Sequence, residues 1–147
     1  MKYELLTFQQ HGDDRGQLIA IEEGINVPFS VKRVYYMYDT KPGVRRGFHA
    51  HRELKQVLIC VSGSCSVHLD DGTETEEILL DKPYIGLQIE GLIWREMYNF
   101  SEDAVLLVLA SELYDESDYI RDYHEFKKEV LRHGEDPKNH SEEISVC

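Results

Sequence analysis

Cysteine is scarce in this chain: three residues in 147, Cys60, Cys65 and Cys147. The number is odd, and two of them flank a Ser-Gly turn in an apolar hairpin, which excludes a disulfide framework. No basic neighbour in sequence stabilises a thiolate at Cys60 or Cys65, so both are read as reduced thiols in or near the core. Long hydrophobic runs are missing too. Nothing approaches the roughly 20 apolar residues of a bilayer-spanning helix, so no membrane is expected. The opening MKYELLTFQQHG carries charge and glutamine where a secretory leader needs an apolar stretch of about 7–15 residues, so a cytoplasmic location is expected. Positive charge is in short supply, with 16 Lys and Arg against 28 Asp and Glu and a net charge of −12. That balance argues against nucleic acid, whose affinity for proteins comes mainly from neutralised phosphates. A few arginines gathered in one pocket can still hold a small anion.

What is present suits one globular unit. The length suits a single domain with its own core, and 41% hydrophobic content with nine tyrosines and five phenylalanines argues against disorder. Residues 1–131 are expected to form the domain, and the polar stretch 132–147, with Pro137, a mobile tail.

Short apolar, β-branched and aromatic segments recur between turn signals, which predicts an all-β fold. Gln17 to Glu23 alternates weakly, and Phe29 to Asp39 is a stronger strand ended by Lys41-Pro42-Gly43. LKQVLICVSGSCSVHLDDGTETEEILL reads as three strands joined by a Ser-Gly turn and an Asp-Asp-Gly turn. Tyr84–Trp94 and Ala104–Tyr114 add at least two more, the second apolar enough to be buried on both sides. Seven or more such strands suggest a sandwich or jelly-roll barrel. After Ser111 the period changes. Tyr119, Ile120, Tyr123, Phe126 and Val130 fall at helical spacing, with Ser117 as the expected N-cap, Gly134 as the stop and a solvated acidic face.

Chemistry concentrates in RRGFHAHRELKQV, Arg45 to Val57. On a strand the side chains of His49 and His51 share one face, with Gly47 in the same register leaving room. GFHAHRELKQVLICVSG resembles the first cupin motif, with His49, His51 and Gly63 in place and Gln56 where a glutamate ligand would stand. EGLIWREMYNF resembles the second, with Gly91 and Asn99 matching but Arg95 at the last ligand position. A divalent ion wants further N or O donors, whereas a guanidinium is donor-only and permanently charged. No metal and no cofactor is therefore expected. Two imidazoles in a sheltered pocket are instead available for acid–base work.

FSVKRVYYMYDTK, RRGFHAHRELKQVLICVSGSC, GLIWREM and VLLVLASELYDESDYIRDYHEFKK together resemble the dTDP-sugar 3,4-ketoisomerases, small WxcM-like cupins, over roughly residues 5 to 128. The resemblance implies a cupin-type jelly-roll barrel with a short C-terminal helix. It also implies conversion of dTDP-4-keto-6-deoxyglucose to a 3-keto-6-deoxyhexose, galacto or gluco at C4, on the way to a 3-amino sugar for surface polysaccharide or an antibiotic. It makes His49 the base at the sugar carbon and His51 its partner. Tyr35, in register with Arg33, is placed to hydrogen-bond the C4 oxygen, with Arg33 on the diphosphate or a hydroxyl. Arg46, Arg95 and Arg15 are further substrate-binding candidates. Gln56 is expected to hydrogen-bond His51 and set its tautomer. Plainer readings stand beside these: Tyr35 and Trp94 as packing aromatics, and Arg33 paired with a rim carboxylate. Two rival functions remain open, a dTDP-4-keto-sugar 3,5-epimerase and a non-catalytic nucleotide-sugar-binding cupin; a metal-dependent cupin oxygenase is more distant. Jelly rolls commonly cover exposed edges with another subunit, and family members look like dimers with exchanged N-terminal strands. A homodimer with Tyr3 to Phe8 crossing over is therefore expected.

Overall fold

The computed structural model describes residues 1–134. Twelve strands and one helix follow each other along the described chain: β1 Tyr3–Thr7, β2 His11–Asp13, β3 Gly16–Leu18, β4 Arg33–Met37, β5 Arg46–His51, β6 Gln56–Ser62, β7 Cys65–Asp70, β8 Thr75–Leu80, β9 Ile85–Ile89, β10 Trp94–Tyr98, β11 Val105–Ala110, β12 Tyr119–Ile120 and α1 Tyr123–Gly134. Two antiparallel five-stranded sheets form, in the orders β1-β9-β6-β11-β4 and β12-β5-β10-β7-β8, with β2 and β3 as a separate hairpin. This is the expected cupin-type jelly-roll barrel with a short C-terminal helix.

Alternation along each strand divides the molecule into three apolar layers. Inward residues Leu58, Cys60, Cys65, Val67, Leu69, Leu87, Leu106 and Val108 fill the space between the sheets. On β6 the intervening Val57 and Ile59 face the other way and are covered by Phe8, Val27 and Phe29. That cover explains the unbroken apolar run of β6, buried on both faces like β11 between β6 and β4. Behind the second sheet, Ala50 and Trp94 pack against Ile120 of β12 and Phe126 of α1. Each fully buried Leu or Ile contributes on the order of 1.5–3 kcal/mol. Cys60 and Cys65 are free thiols within the inner layer; Cys147 lies outside the described residues.

Several sequence expectations need correction. The weak alternation at 17–23 yields only the end of β3, since residues 19–31 are used to cover the outer face of the first sheet. The helix does not begin at Ser117. That residue sits in a 3-10 turn, Glu116–Asp118, capped by Asp115, and β12 follows before α1 starts. Asp122 caps α1, its carboxylate accepting the Glu125 N–H at 3.0 Å. The helix runs to Gly134, so the tail expected from residue 132 starts inside it, and 135–147 lie outside the described residues. Trp94, by contrast, packs as expected: its ring meets Tyr123 and Phe126, and its Nε1 donates to Glu96.

Candidate active site

The two histidines enter the barrel on β5, but not through plain alternation. Arg95 of β10 faces His49 and Glu96 faces Gly47, so Phe48 is an extra residue bulged out of the ladder. Phe48 accordingly adopts a φ of 58°, a left-handed conformation rare for a bulky residue. The shared register of Gly47 with the histidines is thus broken. The glycine is required by β10 itself, since a Cβ at 47 would stand 2.8 Å from the Arg95 carbonyl oxygen. Beyond the bulge His49 and His51 do share the inward face, with ring centroids 4.8 Å apart and edges meeting.

Behind them lies a buried polar wall. Arg95 is 1% exposed; Nε and Nη2 donate to the Ile93 carbonyl and Nη1 to Gln56 Oε1. The Gln56 amide in turn donates to the Tyr35 hydroxyl at 2.9 Å. Gln56 therefore does not hold His51, as the sequence suggested: its amide bonds Arg95 and Tyr35, while His51 Nδ1 faces Asp118 and Nε2 makes no hydrogen bond among the described residues. Burial pushes Arg95 down to about 10 and raises the Tyr35 phenol. Burial first, then the Arg95 charge, push His49 from 6.5 to about 4, and the same two causes lower His51 further. Both imidazoles are neutral at physiological pH.

The partner of His51 is Asp118, whose Oδ2 lies 3.1 Å from Nδ1. Tyr119 packs its ring against both histidines, at 5.1 and 4.3 Å, and Arg121 lies 4.3 Å above that ring. Glu116 fixes Arg121 through two hydrogen bonds. None of Asp118, Tyr119 and Arg121 was singled out from the sequence, where this segment read as the start of a helix with a solvated acidic face. The signal was there in the segment DESDYIRDY, but only the pairing of β12 with β5 brings it to the histidines.

A cavity of about 360 Å³ is bordered by Arg33, Tyr35, Arg46, His49, Tyr119 and Arg121. A second hollow of about 650 Å³ adjoins it, sharing Arg33 and Tyr119 and reaching His51. Arg33 lies 5.2 Å above the Tyr35 ring, and its Nε is buried without a hydrogen-bond partner among the described residues. Of the expected substrate-binding residues, then, Arg33 and Arg46 border the cavity. Arg95 and Gln56 form the wall behind the histidines and border neither hollow. Arg15 is remote from both: it sits in the β2–β3 turn, 87% exposed and bonded twofold to Asp13. Such an arrangement can bind an anion with its arginines while neutral imidazoles and a phenol exchange protons with a polar group between them.

A family model described as FdtA, WxcM-like, C-terminal, matches residues 1–131. The TDP-4-oxo-6-deoxy-alpha-D-glucose-3,4-oxoisomerase of Aneurinibacillus thermoaerophilus is 53% identical over 132 residues, 90% of this chain and 95% of that protein. A crystal structure of a 3,4-ketoisomerase from Helicobacter canadensis superposes with a TM-score of 0.87 at 53% identity, covering 89% of this chain and 98% of that one. A histidine-to-asparagine variant of the 3,4-ketoisomerase QdtA from Thermoanaerobacterium thermosaccharolyticum, in complex with TDP-4-keto-6-deoxyglucose, superposes equally well, with a TM-score of 0.87 at 45% identity. It covers 88% of this chain and 94% of that one.

Proposed function

The chain belongs to the FdtA family of WxcM-like proteins, and from this membership we infer that it is a dTDP-4-keto-6-deoxyglucose 3,4-ketoisomerase. The observation that carries the chemistry is the pair of neutral, inward imidazoles beside the Tyr35 phenol at an arginine-rimmed cavity. His49, which borders that cavity, takes the C3 proton, acidified by the neighbouring C4 ketone. The C–H electron pair becomes the C3=C4 bond of an enediolate whose charge rests on the C4 oxygen. The C3 hydroxyl proton then passes to that oxygen, and the electron pair left on O3 forms the new ketone as the C=C pair takes a proton back at C4. Tyr35 hydrogen-bonds the C4 oxygen while charge develops there, and His51 handles the oxygen protons. Arg33, Arg46 and Arg121 hold the diphosphate. Arg95 and Gln56 act from behind, Arg95 by keeping the imidazoles unprotonated and Gln56 by steering the Tyr35 hydroxyl. The 3-keto product is the substrate an aminotransferase needs to make a 3-amino sugar.

A homodimer belongs to this reading. Val34, Tyr36 and Tyr38 stand exposed along and just beyond the edge strand β4, and Tyr36 and Tyr38 are each 62% exposed. Such an edge calls for a cover. The β2–β3 hairpin ties Arg15 to the N-terminal segment, so exchange of that segment between subunits would carry Arg15 toward the sugar in the partner's site. No helix among the described residues is long and apolar enough to cross a membrane. The doubly anionic substrate does not cross a bilayer unaided, which favours the cytoplasm.

The test is incubation with dTDP-4-keto-6-deoxyglucose in deuterated water, a 3-aminotransferase with its PLP, and NMR of the product. A 3-amino sugar carrying solvent deuterium at C4 is expected. Deuterium at C5 makes the protein an epimerase, and no uptake makes it a binder.

A further inference from the structure

Asp118 lies 67 residues from His51, yet several separate interactions fix its place. Its Oδ1 accepts the peptide N–H groups of Arg52 at 3.2 Å and Glu53 at 2.8 Å, the two residues following His51. Its own carbonyl accepts the Arg52 N–H, and the Arg52 guanidinium donates to the Ser117 carbonyl at 2.9 Å. β12 then pairs Tyr119 with His51 and Ile120 with Ala50. With one oxygen occupied by peptide donors, only Oδ2 is left for the His51 ring, and it reaches Nδ1. A carboxylate accepts and does not donate, so the shared proton is on Nδ1 and the lone pair is on Nε2. His51 Nε2 is buried with no hydrogen-bond partner among the described residues, and its side chain is closed from solvent.

We propose that Asp118 is a positioning residue: it locks His51 with its proton on Nδ1, so that Nε2 meets the sugar as a proton acceptor. His51 is then the oxygen shuttle, and His49 is left the carbon chemistry. The O3–H bond breaks as an Nε2–H bond forms, and the same proton is later delivered to the C4 oxygen. The ring thus returns to its starting tautomer, and Asp118 lies against the transient imidazolium. The shuttle role rests on the isomerase reading above, whereas the tautomer assignment does not.

Asp118→Asn separates positioning from simple loop fastening. The Asn carbonyl oxygen can keep both peptide N–H bonds, which turns its NH2 toward His51. That group donates, so the ring must accept through Nδ1 and carry its proton on Nε2. Nitrogen NMR of histidine-labelled, substrate-free protein at pH 7 should show His51 protonated on Nδ1 in the wild type and on Nε2 in D118N. With substrate, kcat should fall by roughly 10²–10⁴ and KM should change less than about threefold, the loss expected for a wrongly presented imidazole. A wild-type His51 protonated on Nε2, or a D118N protein with unaltered tautomer or kcat, overturns the proposal. Should D118N fail to fold, the wild-type spectrum alone decides the tautomer. A wild type that shows the expected tautomer but does not isomerise the sugar leaves the tautomer assignment standing and removes both the shuttle role and the isomerase reading.

Discussion

Toward one end of the barrel, β6 and β11 turn Leu58, Cys60 and Leu106 inward to build a dry interior. Toward the other, β6 turns Gln56 inward, β10 Arg95, β5 His49 and His51, and β4 Arg33 and Tyr35. β6 runs through both regions and keeps one two-residue period along its length, while on β5 the bulge at Phe48 interrupts that period just before the histidines. What differs is how burial is compensated. The apolar end gains by removing surface from water, whereas each polar group at the other end loses hydration and must be matched by a partner. The matching is incomplete: among the described residues Arg33 Nε, His49 Nδ1 and His51 Nε2 at this end are buried without a partner, as are Thr40 Oγ1 and Gln88 Oε1 away from the two hollows. A fold keeps such atoms unmatched where a ligand is to complete them.

Substitutions can separate the two regions. The largest effect is expected from His49→Asn at the polar end. Exchange of the C3 hydrogen with solvent and product formation should fall by roughly 10²–10⁴, with dTDP affinity by calorimetry and the melting temperature nearly unchanged. Retained exchange would show that another group is the base. Leu58→Ala at the dry end should do the reverse, lowering unfolding free energy in urea by about 2–5 kcal/mol while leaving KM intact. An active-site defect at full stability would mean that the two ends are not independent.

A smaller effect concerns pH. His49 has a folded pKa of about 4 against 6.5 for the free side chain. Its neutral form is favoured by the unfolded and folded states alike above pH 6.5, but below that value protonation favours unfolding. The stability this histidine supports is therefore complete above pH 6.5 and drains away as pH falls toward 4. The acid limb of kcat/KM, which reports the free enzyme, should fall near pH 4. The limb of kcat should lie higher, because the bound diphosphate offsets the arginine charges that depress the imidazole. Coincident limbs near 6.5 would show that Arg95 and burial do not act on His49 as the structure implies.

Much of this was legible beforehand. Strand periodicity located β6, β7 and β8 with their turns, since two-residue alternation and Gly-bearing turns are local properties. Resemblance to the cupin motifs marked the polar end, with the His-x-His pair in the first motif and Arg95 at the last ligand position of the second. Local pattern misled at Ser117, where Tyr119, Ile120 and Tyr123 do recur at helical spacing. Pairing with the free edge of β5 overrode it, leaving a turn and a short strand before α1. Gln56 misled differently. An amide can donate or accept toward any near neighbour, and only the positions of Arg95 and Tyr35 show which bonds it makes.

The sequence by itself determined the jelly-roll class, the inward histidines and the family, because each is encoded in short-range alternation and contiguous motifs. Tertiary structure alone decided that Phe48 bulges to aim His49 and that Arg95 backs the histidines. It also decided that Asp118, across 67 residues of chain, faces His51. Those contacts depend on how strands register against one another, and register is settled by the packing of the whole barrel.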